Sequence, residues 1–223
     1  MAFNDDSFIR EVNEELRSDQ FRSVWRRFGR IIIGLAVLIV VGTAAHRLYG
    51  HFQSQAASGS GDEFVTALKL IEQNKHDEAL AALQKLASEG HGSYPELARM
   101  RGATLLAEKG DAAGAVKAFG EIAADTGVPQ ALRDAARMRA GWLLIDTGTY
   151  EQVSAQVEQM AAPQNGLRNS AREALGLSAY KAADFKRAQD WFQQIVDDTN
   201  APRPVANRAQ IMLDLIAASG KAA

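Results

Sequence analysis

The feature that most limits how this chain can fold is an uncharged, apolar run near its N-terminus. Residues 31–45 read Ile-Ile-Ile-Gly-Leu-Ala-Val-Leu-Ile-Val-Val-Gly-Thr-Ala-Ala. As a helix, this run covers roughly 22 Å of the ~30 Å hydrocarbon core of a membrane. Arg30 and Arg47 can reach toward the headgroups, and aromatic side chains flank both ends: Trp25, Phe28, Tyr49 and Phe52. A transmembrane helix is therefore predicted at residues 28–49.

Two other interpretations of this run stay open. A buried core helix is one, although residues 31–41 leave no polar face for water. A cleaved signal peptide is the other, because residues 42–44 supply small side chains at a plausible cleavage position. The 30 residues ahead of the run are too long for an ordinary leader, and they favour a retained cytoplasmic tail.

Positive charges around the run predict its orientation. Lys and Arg resist translocation, and after the run Arg47 is followed by no further Lys or Arg before Lys69. Six arginines precede the run: Arg10, Arg17, Arg22, Arg26, Arg27 and Arg30. Residues 1–27 are thus predicted to be an amphipathic cytoplasmic tail. The C-terminal part is predicted to lie, in a bacterium, on the periplasmic side of the inner membrane.

Composition also divides the chain behind the run. Residues 53–61 contain no large apolar side chain, so a flexible linker is predicted at residues 50–61. Beyond it, apolar residues recur at helical spacing between Gly, Asn, Asp and Pro breaks. A folded domain is predicted at residues 62–216 and a disordered tail at residues 217–223.

An internal repeat runs through this domain. Four turn segments align at offsets of 36, 38 and 35 residues: 74–79, 110–115, 148–153 and 183–188. In the same register, small residues precede each turn and apolar residues follow it: Ala67, Ala103, Gly141 and Gly176, then Leu83, Phe119, Val157 and Phe192, then Leu86, Ile122, Met160 and Ile195. Such a period predicts stacked copies of one supersecondary unit.

These columns resemble those of the tetratricopeptide repeat family, in which each unit is a helix-turn-helix with a small residue in its first helix. Small residues at that position let the two helices of a pair approach closely. The resemblance implies an all-α, tetratricopeptide-repeat-like solenoid of about four helix pairs behind a single N-terminal transmembrane helix. Residues 204–216 are predicted to form a single C-terminal helix that caps the open end.

Residues that carry catalysis or bind cofactors form no recognisable pattern. Cysteine is absent, and no two of the four histidines have the spacing of a metal pair: His46, His51, His76 and His91. The glycines form no phosphate-binding cluster. A net charge of -2 argues against nucleic-acid binding. The sequence therefore predicts a protein that is not an enzyme and that uses no cofactor, metal or small-molecule substrate.

Binding is instead predicted on a surface. In tetratricopeptide repeats the first helices line a concave groove, and its positions here are mostly apolar: Phe64, Leu68, Met100, Met138, Trp142, Ile145, Leu177 and Tyr180. Methionine and aromatic side chains suit the capture of an apolar peptide or partner helix. An ordinary core role for much of this set stays open. A second candidate surface is a column of arginines, unless they pair with local carboxylates: Arg99, Arg137, Arg172 and Arg208.

The whole layout resembles one further family, the ancillary subunit of the bacterial Sec translocon. The stretches that carry this resemblance are residues 8–19, residues 25–30, the apolar span and the repeats behind it. The resemblance implies association with the translocon, with periplasmic chaperones and with emerging unfolded chains, and contact with the lipid bilayer through one helix. A function of a different class also stays open, namely a scaffold that holds one defined partner in an envelope assembly or division complex.

Overall fold

The structure is a computed structural model. It describes the backbone of residues 5–220 and the side chains of residues 27–220, apart from residues 32, 36, 50 and 52–54. The predicted amphipathic character of the N-terminal tail therefore lies almost wholly outside the described side chains. The chain forms two compact units, residues 1–55 and residues 56–223.

All regular structure in the described residues is helical, which confirms the predicted fold class. The helices are α1 Asp5–Glu72, α2 His76–Glu89, α3 Tyr94–Glu108, α4 Ala112–Ala124, α5 Gln130–Thr147, α6 Tyr150–Val157, α7 Arg168–Lys181, α8 Phe185–Val196 and α9 Arg203–Ser219. A short 3-10 helix, Glu158–Ala161, continues α6. The end of α1 and α2 form the first pair, followed by α3–α4, α5–α6 and α7–α8, with α9 single at the end.

The first unit contains the apolar stretch of α1. Among the described residues, Arg27–Tyr49 is the one helical segment long and apolar enough to cross a membrane, with a mean hydropathy of 2.2. Its side chains are open to the surroundings, since Ile31 and Leu38 are 66% and 68% exposed. A helix that is apolar on all sides and unburied is unfavourable in water and favourable in lipid. The segment is a candidate membrane anchor.

Residues 50–61 are helical, unlike the flexible linker predicted there. Ser60 is buried, and its Oγ accepts a hydrogen bond from the backbone N–H of His91 at 2.9 Å. A Cβ atom on Gly61 would lie only 2.8 Å from the hydroxyl oxygen of Tyr94. The small residues that suggest a flexible joint therefore allow close packing against the start of α3.

The C-terminal helix is longer than predicted. It extends to Ser219, into the segment predicted as a disordered tail at residues 217–223, and ends at Gly220 in the left-handed conformation with φ of 64°. A glycine at this position is a common helix stop because it lacks a Cβ. Residues 221–223 lie outside the described residues, and the other predicted domain boundaries stay predictions.

Three of the four turns within pairs share one backbone geometry. Asn74, Gly110 and Ala183 are left-handed, with φ of 60°, 87° and 59°. At each turn two successive amide N–H groups donate to carbonyl oxygens in the last turn of the preceding helix. This is a Schellman motif, which satisfies carbonyl groups that a helix end otherwise leaves unpaired. The predicted turn column is thus a recurring helix stop.

At the fourth turn, Gly148, the carbonyl groups at the helix end are satisfied in a different way. Gly148 is extended, with φ of -121° and ψ of -165°. The ammonium group of Lys181 donates to the carbonyl oxygens of Ile145 and Asp146 at 2.8 and 2.6 Å. A positive charge at a helix C-terminus also opposes the negative end of the helix dipole. A side chain from α7 therefore caps α5 where the backbone motif is missing.

The repeat columns form the core between and within pairs, as predicted. Every alanine, leucine, valine, phenylalanine, isoleucine and methionine of the three columns is at most 3% exposed. The two glycines mark the closest approaches, since a Cβ on Gly141 would lie 2.6 Å from Cγ1 of Val157 and a Cβ on Gly176 would lie 2.8 Å from the ring of Phe192. The first and second helices of these pairs therefore pack with no room for a methyl group.

A candidate binding surface on the first helices

The exposed apolar side chains of the second unit are distributed unevenly. Among its described residues, the large hydrophobic side chains that remain exposed all belong to the first helices, the N-cap of one of them, or α9: Val65, Leu97, Trp142, Leu167, Ile211 and Leu215. The second helices α2, α4, α6 and α8 contribute none to this set. The exposed apolar surface of this unit therefore belongs to the first helices and α9.

A pocket of about 580 Å³ opens between the first helices α3, α5 and α7. Trp142, 37% exposed, stands at its edge, whereas Met138, 7% exposed, lies deeper. Phe119 reaches the pocket from α4 and is 2% exposed, so it forms part of the floor. Leu143 and Leu167 complete the apolar wall. Pockets of this volume, lined mostly by apolar side chains, are typical of binding sites.

The structure brings only part of the predicted groove together. Of the eight predicted residues, Met138 and Trp142 line the pocket. The aromatic residues of the first and fourth pairs pack internally: the Phe64 ring lies 6.0 Å from that of Tyr94, and the Tyr180 ring 5.4 Å from that of Phe185. The others are half-buried, most of them against the core clusters: Leu68, Met100, Ile145 and Leu177. A binding role for the predicted set stays a prediction.

The rim of the pocket is charged. Arg101 donates to both carboxylate oxygens of Glu108, at 2.8 and 3.3 Å, so these two charges neutralise each other. Arg139 is exposed, and its Nη1 lies 3.5 Å from the hydroxyl oxygen of Thr104. The pocket thus combines an apolar interior with a basic edge.

The four arginines of the predicted column make contacts within the chain. Arg172 is 7% exposed and donates to the backbone carbonyls of Ala161 and Gln194, both at 3.2 Å. Arg137 likewise donates to the carbonyl of Ala123 at 3.2 Å. The other two pair with carboxylates, Arg99 with Asp125 at 2.7 Å and Arg208 with Glu173 at 2.6 Å. These guanidinium groups are occupied by intramolecular contacts, which favours their interpretation as structural residues over a second binding surface.

Two loops between pairs share a feature that the sequence interpretation missed. Asp125 and Asp198 each accept a hydrogen bond from the amide N–H two residues later, at 3.0 and 2.9 Å. The Arg168 guanidinium beside Asp198, together with the amide of Asn200, holds the pKa of that carboxyl well below its usual range. The signal was available, because Asp-Thr-x-x-Pro occurs at both residues 125–129 and residues 198–202.

Two smaller pockets and the side chains that could bind a metal are the other features of the described surface. A pocket of about 340 Å³ lies between α2, α3 and α4, and one of about 300 Å³ lies beside the Gly148 turn. In the part of the chain that the structure describes, no group of three or more His, Asp or Glu side chains is placed to hold a metal ion. The first-helix pocket therefore remains the candidate site.

Comparison with known proteins agrees with this architecture. The family model described as a tetratricopeptide repeat-like domain matches residues 22–218. The match includes the apolar run of α1 as well as all four helix pairs and α9. No curated protein matches the chain. The matched region spans well over half of the sequence, and the chain therefore belongs to the tetratricopeptide repeat-like domain family.

Proposed function

We propose that this protein is a membrane-tethered interaction module that binds protein segments on its first-helix surface. Repeat domains of this family are typically non-enzymatic scaffolds for protein–protein interaction. The observation that carries the proposal is that the exposed large apolar side chains of the described repeat domain belong to the first helices and α9, and that two of them, Trp142 and Leu167, line the 580 Å³ pocket. Exposed apolar side chains that gather at a pocket mark an interaction site.

The tether in this proposal is the segment Arg27–Tyr49. Its length and hydropathy support a membrane-spanning helix. The arginines ahead of it outnumber those behind it, which supports a cytoplasmic N-terminus and a repeat domain on the periplasmic side of a bacterial inner membrane. The pocket would then lie in the periplasm, the compartment into which secreted chains emerge.

Protease protection tests the tether and its orientation. In spheroplasts that express the full chain, external protease is expected to digest residues 56–223 while an N-terminal epitope survives on a membrane-bound fragment. Carbonate washing is expected to leave the protein in the membrane fraction, because a spanning helix resists extraction, whereas a peripheral one does not. A cytoplasmic protein that stays intact serves as the control. Digestion of the repeat domain only in inverted vesicles would contradict the orientation.

The partners are proposed to be emerging unfolded chains, with the Sec translocon and periplasmic chaperones as neighbours. The support is the sequence layout of tail, span and repeats, together with an apolar pocket that suits low-specificity capture. A scaffold for an envelope assembly or division complex is the competing function. It would use the same surface for one defined partner.

The variant Trp142→Gln tests client capture. The full chain in lipid nanodiscs is expected to slow the aggregation of unrelated unfolded proteins, and Trp142→Gln is expected to weaken binding about thirtyfold. Trp142 is the exposed aromatic of the pocket, and aromatic hot-spot residues supply ~2 kcal/mol or more at interfaces. Light scattering and crosslinking from pocket positions measure the effect.

A matched control distinguishes the effect of the pocket from the effect of any exposed apolar side chain. Val65→Gln changes an exposed side chain on α1 that does not line the pocket, and it is expected to change aggregation kinetics much less than Trp142→Gln does. If neither the native chain nor either variant slows aggregation, while one partner copurifies in fixed ratio from solubilised membranes, the scaffold function is correct instead. Copurification without translocon subunits would remove the translocon from the proposal.

A further inference from the structure

Resting on the proposed function, we infer that the first-helix pocket selects partner segments in which a large apolar side chain lies next to an acidic one. The apolar side chain enters between Met138, Trp142 and Leu167, and the carboxylate pairs with Arg139 at the rim. The pocket thereby prefers apolar–acidic segments over apolar–basic ones.

The charges at the pocket support this preference. Arg101 and Glu108 form a two-point ion pair and cancel each other. Seven arginines of the repeat domain lie within 4.0 Å of a carboxylate oxygen: Arg99, Arg101, Arg137, Arg168, Arg172, Arg187 and Arg208. Among the described residues Arg139 has no such carboxylate, and it is the arginine that lines the pocket. The net charge left at the rim is therefore positive.

The position of Arg139 fits a joint role with Trp142. The two residues are three positions apart on α5, so their side chains are neighbours on one helix face, with Cβ atoms about 5–6 Å apart. Both line the pocket. A partner whose apolar side chain contacts the indole ring therefore brings the residue one helical turn away within reach of the guanidinium group. Arginine suits this task because its planar fork of donors matches a carboxylate.

A charge-swap experiment tests the inference. The full chain in phosphatidylcholine nanodiscs, which carry no net lipid charge, is titrated with fluorescent helical peptides that present Leu and Phe with Glu one turn away. The matched peptides carry Lys in place of Glu. The native protein is expected to bind the Glu peptides about fivefold more tightly than the Lys peptides, and added salt is expected to reduce the ratio because the pair is exposed.

The variants decide whether Arg139 is responsible. Arg139→Glu is expected to invert the preference, so that the Lys peptides bind more tightly. Arg203→Glu alters an exposed arginine on α9, away from the pocket, and is expected to leave the ratio unchanged. An unchanged ratio in Arg139→Glu, or no binding of either peptide, overturns the inference. If Trp142→Gln abolishes the binding of both peptides while Arg139→Glu leaves the binding ratio unchanged, the pocket binds protein segments without this charge preference. The proposed function then holds and the inference does not.

Discussion

Replacing Gly176 by alanine is expected to destabilise the repeat domain by about 2 kcal/mol, although alanine is the better helix former. The new Cβ would lie 2.8 Å from two ring carbons of Phe192, which is fully buried. The ring has no free volume to move into, so α7 and α8 must separate. The melting temperature of the full chain in detergent is expected to fall by roughly 4–8 °C, the shift that such a loss produces in a domain of this size.

The matched control for this change has the opposite sign. Gly102 also lies inside a first helix, but a Cβ there meets nothing within 4 Å. Gly102→Ala is therefore expected to stabilise the domain by up to about 1 kcal/mol, because alanine restricts the unfolded chain and favours the helix. If both variants shift the melting temperature in the same direction, the close approach of the paired helices is not the reason that position 176 requires a glycine.

The repeat could be predicted because its signal is periodic and local. Small residues at a fixed offset from each turn are required by close helix contact, and the same contact makes them detectable without a structure. Gly141 and Gly176 meet Val157 and Phe192 as that rule demands. The helix stops were similarly visible, since Asn74 and Gly110 are residue types that tolerate the left-handed conformation. Ala183 is left-handed without such a signal.

The candidate site could be predicted only in part, because exposure depends on how neighbouring helices are placed. Periodicity identifies which residues lie on first helices, but not which of them face a neighbour. Trp142 and Tyr180 belong to the same predicted set, yet Trp142 lines the open pocket while Tyr180 packs edge-on against Phe185. The basic rim depends on a further contact, the pairing of Arg101 with Glu108, which no sequence pattern indicates.

The helical backbone of residues 50–61 was not predictable from the sequence for a related reason. A stretch rich in Gly, Ser and Ala is typical of flexible linkers, since it offers little to bury. The same composition also allows another backbone to approach closely. Ser60 and Gly61 are used in this second way, against His91 and Tyr94. Composition alone does not distinguish the two uses, because the partner surface lies some 30 residues away in sequence.

Arginine 172 presents the opposite case, a charged residue whose function is structural. Arg172 is 7% exposed, and its guanidinium group joins the carbonyl ends of two segments, at Ala161 and Gln194. It also lies 3.6 Å from Asp198, which Arg168 contacts at 2.5 Å. A single side chain thus connects the end of the third pair, the end of α8 and the loop that leads to α9.

Arg172→Met is expected to lower the free energy of unfolding by about 3 kcal/mol. Methionine keeps the apolar stem of the side chain, but it leaves the carbonyl groups of Ala161 and Gln194 without this donor. It also removes a positive charge from beside the carboxylate of Asp198. Arg137→Met, whose side chain is 34% exposed, is expected to lose only about 1 kcal/mol. Arg139→Met is expected to change stability by less than about 0.5 kcal/mol, as an exposed arginine without a carboxylate partner should. Thermal and urea unfolding of the three variants measure this order. Equal effects at Arg172 and Arg139 would show that burial does not distinguish the structural arginines from the one at the pocket.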